Sequence, residues 1–200
     1  MTGHIKMPKA NVRDKLLTAG LDVIHRLGFN RCSVQDITQF AGVPKGSFYN
    51  YFESKEVFGA EILKLYWQKA ASSLKLLSDK TQSPIVRLEL YFDSLAELTS
   101  LDYQRGCLLG NFCGELSTQS PLVRELLSSL LTIWAETLEN CICDAQNKGE
   151  VRSDLDATTL AHFLVNAWEG CVLRSKVEQD GRSFEQFKTI IFSSIRASDS

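Results

Sequence analysis

Long hydrophobic runs and an export signal are both missing from this sequence. No stretch approaches the roughly 18 consecutive apolar residues that a membrane-spanning helix needs. The first dozen residues are polar and basic, and they lack the apolar segment of a secretion signal. We therefore expect a cytoplasmic protein that has no membrane partner.

Paired cysteine motifs are absent as well, although the chain has six cysteines. None belongs to a CxxC pair. Cys141 and Cys143 are two residues apart on a predicted helix, and no histidine has zinc-ligand spacing to them. Because cytoplasmic thiols stay reduced, we expect no disulfide framework. The sequence therefore predicts no metal site and no cofactor.

Strand-like alternation and flexible linkers are scarce. The four prolines stand where helices can start or outside helices, and apolar residues recur three and four positions apart. No segment rich in proline, glycine or serine separates one part of the chain from another. The pattern predicts an all-α fold of about nine helices, in two parts that are mechanically coupled.

The net charge of −2 is unevenly distributed. Residues 1–60 hold 8 Lys and Arg against 5 Asp and Glu, a net charge of +3. Residues 61–200 hold 14 against 19, a net charge of −5. A basic N-terminal part on an acidic remainder fits a nucleic-acid-binding module joined to a larger domain.

The basic part, residues 1–60, has the helix-capping and turn residues that are typical of a helix-turn-helix. Ser33 with Asp36 three residues later predicts a capping box at the start of the second helix. Gly42 permits a sharp turn, a short helix is expected at about 45–51, and Ser54 can cap a long fourth helix. Two short helices joined by a tight turn, after a longer supporting helix, form this motif.

The segment 41–56, AGVPKGSFYNYFESKE, resembles the signature of the tetracycline-repressor (TetR) family. The preceding GF at 28–29 and SVQDI at 33–37 are similar to the first half of that signature, so the match covers about residues 12–58. The resemblance implies a DNA-binding helix-turn-helix domain over residues 1–55. It further implies an effector-binding and dimerisation domain over residues 56–200.

The chemistry of this segment agrees with operator binding. Lysines offer charge to phosphates, and hydroxyl and amide tips offer hydrogen bonds to phosphates or base edges. The family resemblance places the short third helix in the major groove of a pseudo-palindromic, double-stranded operator. The expected DNA-binding residues are Ser33, Lys45, Gly46, Ser47, Tyr49, Asn50, Tyr51 and Lys55.

In the remainder of the chain, residues 105–115 are the most unusual segment. Gly106, Gly110 and Gly114 are four apart, so they are expected to line one helix face and to weaken that helix by about 1 kcal/mol each relative to alanine. Similar Gly-Cys segments occur in family regulators that respond to reactive electrophiles or small unsaturated acids. Arg105 and a helix N-terminus are expected to lower the pKa of Cys107 and make it a sensor. An ordinary buried thiol is the alternative.

Other polar and aromatic positions are weaker candidates. His162 and Glu169 are seven apart on one predicted helix face, a pair whose chemistry suits a metal or an acid–base role, but no third metal ligand accompanies them. Ser183 and Gln186 predict a further capping box. The full set of expected effector-binding or sensing residues is Arg105, Cys107, Asn111, Trp134 and Trp168.

These patterns predict a homodimeric repressor that a small-molecule or electrophilic effector releases from its operator. A cysteine-dependent enzyme built on Cys107 is one alternative, but no catalytic histidine or carboxylate pattern supports it. A ligand-independent DNA-binding protein is the other. The last two helices are expected to pair with their copies, or to face the chain's own core. The residues of that stripe are Phe163, Ala167, Cys171, Phe187, Ile191 and Ile195.

Overall fold

Helices account for almost the whole of the structure, a computed structural model that describes residues 11–197. Residues 1–10, which include most of the segment that argues against an export signal, and residues 198–200 lie outside this description. Within 11–197 the chain forms eight α-helices and two short 3₁₀ helices. The extended backbone there is limited to one isolated bridge between Val151 and Arg196. The all-α prediction is confirmed.

The α-helices are α1 (Val12–Leu27), α2 (Val34–Phe40), α3 (Lys55–Leu74), α4 (Pro84–Ser100), α5 (Leu108–Leu116), α6 (Pro121–Asn147), α7 (Ala157–Glu178) and α8 (Arg182–Ile195). One 3₁₀ helix, Lys45–Asn50, lies between α2 and α3, and the other, Lys75–Ser78, directly follows α3. The chain divides into two compact units between Leu65 and Tyr66, inside α3. We call the described residues of the first unit the head and those of the second the body.

Side-chain caps fix most helix starts. At α2 the Ser33 hydroxyl accepts the backbone N–H of Asp36 at 3.1 Å, while the Asp36 carboxylate accepts the N–H of Ser33 at 2.8 Å. This is the predicted capping box. Ser54, Ser120 and Asp156 cap α3, α6 and α7 in the same way, each accepting the N–H three residues further on.

The capping box predicted at Ser183 and Gln186 is wrong. α8 begins at Arg182, so Ser183 lies within its first turn. The Ser183 hydroxyl donates to the carbonyl of Cys171 at 2.9 Å instead. This bond ties the start of α8 to the preceding helix, because a buried hydroxyl needs a partner wherever one is offered.

Three phenylalanine rings form the centre of the head. Phe48, Phe52 and Phe58 are fully or almost fully buried, with ring centroids 4.6–5.3 Å apart. Gly20 on α1 makes this cluster possible, since a Cβ there would collide with the Phe58 ring. The 3₁₀ helix Lys45–Asn50 is therefore attached to the head through Phe48.

The body core is built from α4, α6, α7 and α8. Trp168 stacks on Phe184 with centroids 4.8 Å apart, and Phe92 and Phe187 pack around the same indole. Three residues of the predicted dimer stripe, those on α8, are buried in this core and so do not face a partner chain. They are Phe187, Ile191 and Ile195. No helix among the described residues is long and apolar enough to cross a membrane.

Candidate functional site

The 3₁₀ helix of the head presents polar and aromatic tips to solvent. Phe48 points inward, whereas its neighbour Tyr49 is 59% exposed, and Asn50 and Tyr51 are exposed as well. Lys45 is exposed at the start of the same element. Gly46 and Ser47 complete the predicted set there, with Gly46 exposed and Ser47 partly buried. The 3₁₀ helix and Tyr51, which directly follows it, thus carry six of the eight predicted DNA-binding residues, and five of the six are exposed.

Ser33 lies at the N-terminus of α2, but its hydroxyl is already engaged. It accepts the N–H of Asp36 and donates to the Asp36 carboxylate at 2.6 Å. These hydrogen bonds from Ser33 lower the pKa of the Asp36 carboxyl below its usual value. The α2 N-terminus therefore carries its own anion, and Ser33 serves chiefly as a cap.

Lys55 is bonded within the head, to Phe29. Its ammonium donates to the backbone carbonyl of Phe29 and lies 4.3 Å from the centroid of the Phe29 ring. Gly59 leaves room for that ring, because a Cβ there would stand 2.6 Å from it. This arrangement fixes the turn after α1 and differs from the solvent-facing phosphate ligand expected at residue 55.

A cavity of about 260 Å³ opens in the body between α5 and α7. Glycines make the space, and both polar and apolar side chains face it. Its chemistry-bearing lining residues are Cys107, Asn111, Glu169 and Lys176. Cys107 and Asn111 are thus brought together as predicted, while Arg105, Trp134 and Trp168 are not among the lining residues.

The prediction that Cys107 has a lowered pKa is wrong. The Arg105 guanidinium donates to the Asp102 carboxylate at 2.8 Å rather than facing the sulfur. Burial, together with the negative charge of Glu169, raises the pKa of the Cys107 thiol well above its usual value. The sulfur is therefore a neutral S–H, and the Tyr66 hydroxyl donates to it at 3.8 Å.

The prediction that three glycines line one helix face is also wrong in part. α5 begins at Leu108, and Gly106 stands before it with φ +63°, in the left-handed region that favours glycine. Gly110 lies inside α5, where a Cβ would collide with Oε2 of Glu169. Gly114 faces open space. Each glycine therefore has a different local environment.

Glu169, only a weak candidate in the sequence beside His162, is a principal polar residue of the cavity. Its side chain is partly buried, with Oε1 shielded from solvent, and burial raises the pKa of its carboxyl. Oε1 has no hydrogen-bond partner among residues 11–197. His162, its expected companion, is exposed and stands apart from the cavity. The available signal was position: Glu169 lies between Trp168 and Val172 on the buried face of α7.

A polar network closes the other side of the cavity. The Lys176 ammonium donates to Oδ1 of Asn111 at 3.1 Å, and the Asn111 amide donates to the carbonyl of Arg105 at 2.9 Å. Asn111 thereby connects α5, α7 and the turn before α5. The predicted residue Arg105 takes part through its backbone, while its side chain is paired with Asp102.

The two tryptophans expected near an effector belong to packed aromatic groups. Trp168 is at the centre of the body core, and Trp134 is buried beside Trp67, with centroids 6.5 Å apart. All six cysteines are unpaired. No cluster of three or more potential metal ligands occurs within the described part of the chain.

Two family models match this chain. Residues 16–62 match "Bacterial regulatory proteins, tetR family", and residues 84–191 match "Tetracyclin repressor-like, C-terminal domain". The HTH-type transcriptional repressor DhaR of Mycobacterium sp. (strain GP1) is 41% identical over 192 residues, covering 94% of each chain. The transcriptional regulator AcuR of Cereibacter sphaeroides is 34% identical over 166 residues, covering 82% of this chain and 75% of AcuR.

A solved structure agrees with these matches. The regulatory protein TetR from Rhodobacter sphaeroides superposes with a TM-score of 0.87 at 30% identity, covering 92% of this chain and 98% of that one. The similarity spans the head and the body.

Proposed function

Because this chain belongs to the tetracycline-repressor family of helix-turn-helix transcriptional regulators, we propose that it is a homodimeric repressor with a pseudo-palindromic operator. A small effector that enters the body cavity lowers its operator affinity. The observation that carries this proposal is the exposed row Tyr49, Asn50 and Tyr51 at the end of a 3₁₀ helix that the buried Phe48 anchors.

The exposed row supplies the groups that a DNA-reading element needs. Tyrosine hydroxyls and the Asn50 amide can bond to phosphates or base edges, and the exposed Lys45 adds a positive charge. Gly46 has open space around it, which lets a phosphate approach the backbone closely. We assign phosphate binding to Lys45 in preference to Lys55, whose ammonium is held by Phe29.

A second copy of the chain is needed to present two such elements. Successive major grooves on one side of the duplex are about 34 Å apart, which is beyond the reach of one short helix. α7 exposes Phe163, Gly170, Leu173 and Val177 at spacings of seven, three and four residues. Ile190 of α8 is exposed as well. We propose that these residues pair with their copies in the dimer.

The cavity between α5 and α7 is the proposed effector site. It is small, it is partly apolar, and it contains a buried carboxyl with an unpartnered oxygen. Cys107 lies in its wall, so both covalent capture and reversible binding are chemically accessible. The relatives are transcriptional regulators, which favours sensing over catalytic turnover at this cysteine.

The decisive experiment is footprinting of the purified protein on the DNA that flanks its own gene, followed by effector titration. We expect a protected site of two related half-sites, and loss of protection when a suitable small molecule is added. A protein that protects no site would refute DNA reading by the head. A protected site that no compound releases would favour the ligand-independent DNA-binding alternative.

A further inference from the structure

We propose that Glu169 is the general base that removes the proton from the Cys107 thiol when a small electrophile enters the body cavity. This inference rests on the proposed sensing role of the cavity and gives it a chemical mechanism. Covalent capture would otherwise be difficult, because Arg105 is paired with Asp102. The backbone N–H of Gly110 in the first turn of α5 lowers the pKa of the Cys107 thiol, but burial and the charge of Glu169 raise that pKa further than Gly110 lowers it.

The geometry sets a direction for the proton. Tyr66 donates its hydroxyl hydrogen to the Cys107 sulfur at 3.8 Å, so the thiol's own proton is directed elsewhere. Glu169 and Cys107 line the same cavity, and both side chains lie against Gly110. The Glu169 carboxylate is the negatively charged group that raises the pKa of the Cys107 thiol, which identifies it as the acceptor. Gly110 lets the carboxylate approach, because any larger residue there would collide with Oε2. The order from proton donor to proton acceptor is therefore Tyr66, Cys107, Glu169.

Burial of the thiol makes a base necessary. A sulfur whose pKa is raised well above its usual value has almost no thiolate at neutral pH. Glu169 is faced by Tyr66 on α3, Tyr91 on α4 and the thiols of Cys107 and Cys113 at α5, none of which brings a positive charge.

Lys176 is the positively charged side chain among the lining residues of this cavity, and its ammonium is bonded to Asn111. The carboxylate of Glu169 is consequently the group placed to accept a proton from sulfur at the moment of bond formation.

The proposed step is a conjugate addition. The Cys107 sulfur forms a bond to the β-carbon of an α,β-unsaturated carbonyl compound, while its proton passes to Glu169. The carbon–carbon π bond breaks, and its electron pair moves to the α-carbon, which then takes the proton back from Glu169. The product is a thioether, the carboxylate is regenerated, and no oxidant or reductant takes part.

The test measures the rate at which acrylamide alkylates Cys107 in the native full-length protein, by peptide mass spectrometry between pH 6 and pH 9. Glu169→Gln should lower this rate at neutral pH by about tenfold or more, within the range that positioned acid–base groups contribute. Cys113, whose pKa Glu169 also raises, is the internal reference. It should react equally fast or faster in the variant, because a nearby negative charge has been removed.

Glu178→Gln is the matched control, since Glu178 lies on the same helix and pairs with Arg174 outside the cavity lining. Its Cys107 rate should equal that of the wild type. If Glu169→Gln alkylates Cys107 as fast as the wild type or faster, the carboxylate is only a charge that suppresses the thiolate, and the proposal is overturned.

The wild-type pH profile tests the same proposal without any variant. A base with the pKa of a buried carboxyl predicts a rate that levels off once Glu169 is ionised. A rate that instead rises tenfold per pH unit up to pH 9 indicates reaction through the free thiolate and also overturns the proposal. These rates are measured without DNA. Operator release, measured separately, tests the proposed function, so the two can fail independently.

Discussion

Phe48 and Tyr49 are neighbours on the 3₁₀ helix, yet one holds the head together and the other faces solvent. Phe48→Ala should destabilise the head by about 3–5 kcal/mol, because it empties the centre of a packed aromatic cluster. Tyr49→Ala should leave thermal unfolding nearly unchanged and abolish operator binding. Circular dichroism melting and a mobility-shift assay measure the two effects. Unfolding of the Tyr49 variant would show that this residue is structural.

The two lysines of the head should differ in their salt dependence. Lys45→Ala should weaken binding to all DNA sequences alike and lower the slope of log affinity against log salt by about one, as for one lost phosphate contact. Lys55→Ala should lower the melting temperature, since it removes the bond to Phe29, and leave that slope nearly unchanged. Fluorescence anisotropy at several salt concentrations decides between them. A reversed pattern would restore Lys55 as the phosphate ligand.

Two glycines of α5, one against the cavity residue Glu169 and one in open space, allow a matched comparison of glycine-to-alanine variants. Gly114→Ala meets nothing within 4 Å and should stabilise the body by about 0.5–1 kcal/mol through helix propensity. Gly110→Ala adds the same propensity but collides with Glu169, so it should give less stabilisation or none. Urea unfolding of both variants measures the difference. Equal stabilisation would mean that the Glu169 side chain moves aside freely.

At the scale of secondary-structure elements, a buried guanidinium joins three of them in the body. Arg87 on α4 donates to the carbonyl of Leu77 in the second 3₁₀ helix at 2.9 Å and to Asp144 on α6 at 3.0 Å. Lys80 also donates to Asp144, and the two cations hold the pKa of that carboxyl below its usual value. At any pH above 3.8, the ordinary pKa of the carboxyl, ionised Asp144 therefore stabilises the body. This contribution to the free energy of unfolding is lost as the pH falls through the lower pKa that Asp144 has in the folded protein.

Asp144→Asn should accordingly lower the melting temperature at neutral pH and reduce the loss of stability on acidification below about pH 4. Asp154→Asn is the control, because Asp154 forms an exposed pair with Arg152 and should matter little at neutral pH. Calorimetric melting from pH 7 down to pH 3 measures both. An unchanged acid profile in the Asp144 variant would remove this residue from the acid response.

The helix boundaries were largely predictable, because local chemistry decides them. α4 and α6 begin at prolines, in line with the predicted placement of prolines at helix starts, and the predicted capping box of Ser33 and Asp36 starts α2. The errors arose where tertiary contacts take over. Ser183 bonds to a carbonyl on another helix rather than to its own backbone. Gly106 adopts a left-handed turn that periodic spacing alone cannot distinguish from a helical position.

The cavity was only partly predictable, for the same reason. Cys107 and Asn111 stood out in the sequence because they lie among unusual glycines, and both line the cavity. Glu169 and Lys176 come from a helix some sixty residues later, and only the packing of α7 against α5 brings them there. The charge state of Cys107 depends on that packing too, so the neighbouring Arg105 in the sequence gave the wrong sign for its pKa shift.

At the scale of the whole molecule, the exposed apolar stripe of α7 is the feature to test. Leu173→Glu places a charge on a side chain that is 67% exposed within one chain but is proposed to be buried in the dimer. It should yield a folded monomer with greatly reduced operator affinity. Leu101→Glu is the control, since Leu101 is 78% exposed and lies off this stripe. Light scattering after size exclusion measures the mass. A dimeric Leu173 variant would place the interface elsewhere.

Amphipathic spacing identified the last two helices but could not tell which apolar residues face the chain's own core. Phe187, Ile191 and Ile195 of the predicted interface are buried within the body, whereas Phe163 is 54% exposed. Both helices carry apolar residues on more than one side. A single chain's periodicity does not assign such faces to an internal or an external partner, because both bury the same kind of surface.

The attachment of the 3₁₀ helix through one buried ring bears on how this regulator can diverge. Because Phe48 provides the deep burial in that element, substitutions at its exposed neighbours should have little effect on folding. Under the proposed function, a lineage can therefore exchange Tyr49, Asn50 or Tyr51 and acquire a new operator while the effector site in the body stays unchanged. After gene duplication, two copies can thus come to control different promoters in response to one signal.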